Sequence, residues 1–96
     1  MILDTIIQQP AEILDYDVTY HKFFAGEDDS VASVINLIIP NTGTLAVSTQ
    51  KASDTSVKLW VQGGLDGEEY TVEITATMTS GRVKQDEVIV VIQEIQ

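Results

Sequence analysis

From residue 70 to residue 79 the chain alternates in strict order. Tyr70, Val72, Ile74, Ala76 and Met78 take every second position, and Thr71, Glu73, Thr75, Thr77 and Thr79 lie between them. A two-residue period is that of a strand with one buried and one wet face, and nine or ten residues at that pitch extend roughly 30 Å. The pair Ser80-Gly81 reads as a turn into a closing run in which Val88, Val90 and Ile92 share one face while Ile89 and Val91 lie on the other. Residues 69–79 and 82–93 are therefore expected to be the two longest strands, joined as a hairpin.

The earlier segments show the same period less cleanly. Leu14, Tyr16, Val18 and Tyr20 alternate with Asp15, Asp17, Thr19 and His21, a strand that leads to Phe23-Phe24 and then to the turn-like Gly26-Glu27-Asp28-Asp29. The two phenylalanines are expected to plug one end of a small core. Residues 31–39 are apolar on both faces, with Val34 and Ile38 on one and Ile35, Leu37 and Ile39 on the other; a bulge after Val31 would reconcile the phases. Such a strand is either central in its sheet and covered twice, or one side of its sheet meets another protein. A short strand at residues 44–49 and a polar loop through Asp54 come next. In residues 55–62 the aliphatics Val57, Leu59 and Val61 form the core face, which points Trp60 outward. Trp60 is either covered by residues of its own chain or is an anchor for another protein.

With six or seven strands and no helical segment, the pattern predicts an all-β Greek-key β-sandwich over residues 13–96. Residues 1–12 fall outside it. Ile2, Leu3, Ile6 and Ile7 are mixed with polar residues and Pro10 breaks any regular element, so this segment is expected to be an arm, either a loose end or an apolar strap that orders on a neighbouring subunit.

Composition narrows the function more than the fold. Ninety-six residues make one domain, with fifteen acidic against five basic side chains and a formal charge of −10. That field repels phosphate backbones and anionic membrane surfaces, so neither nucleic acid nor membrane is an expected partner. The chain has no cysteine, which excludes a disulfide core and a thiolate site. No apolar run is long enough to span a bilayer, and the N-terminus lacks the order of a signal peptide.

Catalysis finds no warrant. His21 is the only histidine, and no serine or lysine has an evident activating partner. Asp15 and Asp17 share a strand face, where they could act as an acid/base pair only if burial raised the pKa of one. Glu27-Asp28-Asp29, Asp66 with Glu68 and Glu69, and Asp86-Glu87 could offer oxygen ligands to calcium, but their spacing matches no EF-hand, and charge clusters in turns are ordinarily solvated. Gly63, Gly64 and Gly67 read as turn glycines, with no strand-to-helix context for a phosphate loop. No catalytic, metal or cofactor-binding residue is expected.

The glycine-rich lead-in Gly63-Gly64-Leu65-Asp66-Gly67, Tyr70 and the Gly81 turn look like the E–F loop, F strand and F–G hairpin of an immunoglobulin-like or fibronectin-like domain. That likeness implies a tyrosine corner, in which the Tyr70 hydroxyl reaches back to the backbone of the Gly64 to Gly67 loop. The wider order resembles the small Ig-like structural proteins of tailed bacteriophages, a group that includes fibre-to-tail adaptors. It runs through Leu14-Asp15-Tyr16-Asp17-Val18-Thr19-Tyr20, Asp28-Asp29-Ser30-Val31-Ala32-Ser33, Val57-Lys58-Leu59-Trp60-Val61-Gln62-Gly63-Gly64, Tyr70-Thr71-Val72 and Thr79-Ser80-Gly81-Arg82.

The resemblance implies a virion component, assembled in the host cytoplasm, that joins structural proteins of the tail, neck or fibre as a symmetric ring or hetero-oligomer. Ile2, Leu3, Ile6, Ile7, Ile35, Leu37, Trp60, Ile89 and Val91 are expected to form one contiguous interface, with Tyr70 and Gly81 in structural roles. The competing class is a free-standing adhesion module that binds through its loops, and those loops are poor in aromatics.

Overall fold

The alternation at residues 70–79 becomes β6 (Glu69–Met78), whose inner side chains Tyr70, Val72, Ile74, Ala76 and Met78 are all buried. The computed structural model describes residues 2–24 and 28–94, so the Gly26-Glu27 part of the expected turn lies outside the described residues. β6 pairs antiparallel with β7 (Val83–Ile92) on one side and with β3 (Val31–Ile39) on the other. β6 and β7 are the longest strands, as their patterning predicts. On β3 the register shifts between Val31 and Ser33. That bulge lets Val31 enter the core while Val34 and Ile38 point inward and Ile35, Leu37 and Ile39 outward. β3 is an edge strand and not a central one.

The second sheet has the order β2-β5-β4, built from β2 (Ile13–Thr19), β5 (Ser56–Gln62) and β4 (Ala46–Ser53), with all pairs antiparallel. β4 runs through the polar residues expected to be a loop, because hairpin pairing to β5 carries it where no apolar pattern is needed. The two sheets pack face to face. Val57, Leu59 and Val61 from one meet Val72, Ile74, Val88, Val90 and Ile92 from the other. Tyr20 and Phe24, the latter in the single turn α1 (His21–Phe24), are buried in the same core. Phe23 packs beside Phe24 with ring centroids 5.8 Å apart.

Residues 2–8 correct the expectation of an arm. They form β1 (Ile2–Gln8), which pairs parallel with β7 and completes the order β1-β7-β6-β3. The physical cause is that β7 would otherwise be an open edge, while Ile6 and Gln8 can turn inward from β1. A register shift between Ile2 and Asp4 accounts for the adjacent Ile2-Leu3 pair, which broke the alternation. Gln8 is buried with both polar atoms of its side chain partnered. Its amide donates to the carbonyls of Val61 (2.9 Å) and Glu12 (3.0 Å) and accepts from the Tyr16 hydroxyl (2.8 Å), tying β1 to the opposite sheet.

At the other end of the sandwich Asp29 fastens the β6–β7 turn. One carboxylate oxygen accepts from the amides of Ser30 and Ser80 and the Thr79 hydroxyl, and the other from the Ser80 hydroxyl (2.7 Å) and the Arg82 guanidinium (2.9 Å). The guanidinium also lies 4.8 Å above the Phe23 ring. The Ser80 hydroxyl, with Arg82, the Ser30 amide and the Thr79 hydroxyl behind it, holds the Asp29 carboxyl well below the usual carboxylate range. A depressed folded-state pKa contributes stability that is complete above the unfolded value of about 3.9 and is lost as pH falls through the lower folded value. Urea midpoints at pH 7 and pH 2.5 should therefore differ more for the wild type than for Asp29→Asn; equal differences would mean that this carboxylate adds nothing specific.

The Tyr70 corner is closed, but by partners other than those expected. Its hydroxyl donates to Glu68 Oε1 (2.7 Å) and accepts from the Thr44 amide (3.3 Å). The same Glu68 oxygen accepts from the Leu65 amide at 2.7 Å, so a carboxylate stands between the tyrosine and the loop it was expected to touch. Gly43 is required here, since a Cβ at that position would collide with the Tyr70 ring. Tyr70→Phe removes a hydroxyl engaged on both sides and should cost about 1 to 2 kcal/mol in denaturant melts. An unchanged midpoint at unchanged slope would show the corner to be idle.

Candidate docking surfaces

Strand pairing fixes which outward residues share a surface. On the outer face of the four-stranded sheet one rung runs Thr5, Ile89, Thr71, Ile39; the next runs Glu87, Glu73, Leu37; and a third runs Gln85, Thr75, Ile35. Ile7 stands beside Val91 at the head of the sheet, and Ile2 beside Glu87. Ile2, Ile7, Ile35, Leu37 and Ile39 are exposed, and Ile89 and Val91 are half-buried. This face is apolar along β3 and at the head, where Ile7, Val91 and Ile89 lie together, and polar along β6 and at Gln85 and Glu87 of β7, where the Gln85 amide donates to Glu73 Oε1 and Thr75 Oγ1.

Ile6 and Leu3 leave the expected interface. Ile6 is 8% exposed and belongs to the core, and Leu3 packs against it from the edge. Both follow from β1 being a strand, since its inward positions cannot also be surface.

Trp60 lies on the opposite side of the molecule. It projects from the outer face of the three-stranded sheet, between Asp15 on β2 and Ser48 on β4, and is 41% exposed. β1 is in the other sheet and does not cover it, so the single contiguous interface expected from the sequence is two surfaces, one on each side of the sandwich. A hollow beside Trp60 is lined by Ile13, Ala46, Val47 and Gln62. Ile13, 62% exposed, was not singled out by the pattern; the signal was its phase, one residue off the inward Leu14 series.

Asp15, Asp17, Asp29, Asp66, Glu68 and Asp86 are each held in other interactions. Lys58 Nζ sits 2.8 Å from Asp15 and 3.4 Å from Asp17, and its hydrogen bond lowers the Asp15 pKa, opposite to the shift a general acid needs. Glu68 closes the Tyr70 corner, Asp66 accepts from the Glu94 amide, and the buried Asp86 pairs with Lys84 at 2.9 Å. Among the described residues no cluster of three or more candidate ligands could hold a metal ion. What the arrangement offers is surface for other proteins.

No curated protein matches the chain. A family model does match residues 8–91, from the last residue of β1 through both sheets to the penultimate residue of β7, and it is that of the podophage GP4 fiber-tail adaptor protein gp77. The chain belongs to this fiber-tail adaptor family, a non-enzymatic structural component of the phage tail.

Proposed function

We propose that this adaptor is an Ig-like sandwich that joins tail to fibre by docking different proteins on its two outer faces. Strands β2, β5 and β4 against β3, β6 and β7 correspond to the B, E, D and C, F, G positions of a constant-type sandwich, with the first strand moved to the second sheet. The observation that carries the reading is the placement of exposed apolar side chains on opposite sides of one small domain, Ile35, Leu37 and Ile39 on one and Trp60 with Ile13 on the other. A bridge needs two such faces. Copies repeat by symmetry as a ring around the tail, and contacts with other proteins dominate over contacts between copies because a charge of −10 opposes self-association.

The test is reconstitution with the purified tail and fibre proteins of the same particle. Trp60→Ala should weaken one of the two contacts by about 2 kcal/mol, some thirtyfold, and spare the other, while Ile35→Ser with Leu37→Ser should do the converse. If folded variants of both kinds bind both proteins as the wild type does, the faces are not the docking sites and loop-mediated binding becomes the better reading.

A further inference from the structure

A third surface lies between the sheets. On the side where β1 ends one sheet and β2 ends the other, neither strand pairs across the gap among the described residues. The opening is a groove of about 490 Å³. Its floor is the core itself, Leu59, Val88 and Ile6, and its walls are the half-buried Leu3, Tyr16 and Val18. The Tyr16 hydroxyl bonded to Gln8 closes one end.

Three features of this groove define its occupant. β2 presents seven residues of unpaired strand edge, a template for an added strand. Tyr16 and Val18 face the groove while Asp15 and Asp17 face out, so an added strand would place alternate side chains against an apolar wall and against carboxylates. The rim carries Asp4, Asp15 and Asp17, with the Lys58 ammonium held between the last two.

We infer that the β1/β2 groove receives an extended segment of another virion protein, pairing along β2, with apolar residues directed inward and lysine or arginine directed toward Asp15 and Asp17. A second copy of this chain is disfavoured there, because β2 against β2 would set aspartates beside aspartates. The groove is separate from the Leu37 face and meets the Trp60 face only at Asp15 and Asp17, so its apolar wall adds a partner contact that does not rest on either outer face.

The chain is free of cysteine, so single thiols can report each surface. Val18→Cys and Leu37→Cys proteins, each verified as folded by its melt, are labelled with a maleimide alone and in complex with the purified tail or fibre protein. In one complex the Val18→Cys thiol should react about tenfold or more slowly than in the free protein. Carbodiimide coupling in that complex should join Asp15 or Asp17 to lysines of a partner segment in which apolar and basic residues alternate. Labelling at the free rate in complexes that form, coupling to a segment without that alternation, or coupling to a second copy of this chain would each overturn the inference. The Leu37→Cys thiol reads the flat outer face independently, so loss of protection at one position leaves the other reading intact.

Discussion

Gly63→Ala should lower the stability of this protein by about 3 to 4 kcal/mol, while Gly81→Ala should cost only about 1 kcal/mol. Both glycines have positive φ, +83° and +95°, where any L side chain is strained. They differ in what a side chain would meet. At Gly81 there is open space, but at Gly63 a Cβ would lie 2.5 Å from the carbonyl oxygen of Thr44. A backbone carbonyl cannot rotate away as a flexible side chain can, and moving Thr44 would also withdraw its amide from the Tyr70 hydroxyl. Urea melts of the two variants separate conformational strain from collision. Equal losses would show that the loop after β3 gives way freely.

The same deletion at two leucines should separate folding from assembly. Leu59 is wholly buried on β5 and Leu37 is 53% exposed on β3. Leu59→Ala removes packed methyl groups and leaves a cavity, for an expected cost of about 2 to 5 kcal/mol. Leu37→Ala removes the same atoms from a side chain largely in water and should change the midpoint by no more than about 0.5 kcal/mol. A loss above about 1.5 kcal/mol at Leu37 would mean that the exposed margin of the four-stranded face already serves the fold of the isolated chain.

Inward and outward positions were legible wherever a strand held its alternation. The core residues of β5, β6 and β7 follow directly from the two-residue period, and the bulge after Val31 was visible as a phase slip. Sheet membership was not legible. Alternation states that Trp60 and Leu37 point away from the core, but not that they point away from each other, because that depends on which sheet each strand joins. β1 was hidden for a related reason: its partner, β7, is some eighty residues away in the chain, a separation no local pattern encodes. Gln8 looked like an ordinary polar residue, and Asp29 like part of a solvated acidic turn. Their roles depend on acceptors and donors brought in from distant strands, Val61 for one and Ser80 and Arg82 for the other.

The parallel pairing of β1 with β7 bears on how an adaptor carries load. The two strands run in the same direction, with Ile2 beside Glu87 at one end and Gln8 beside Ile92 at the other. Tension applied between Ile2 and Ile92 would slide the strands past each other along their length, stressing the backbone bonds of the ladder together instead of peeling them apart in turn. The Gln8 amide lies at the end of that ladder and holds it to the opposite sheet. Drag on a fibre that reached the domain along this axis would meet a clasp loaded in shear.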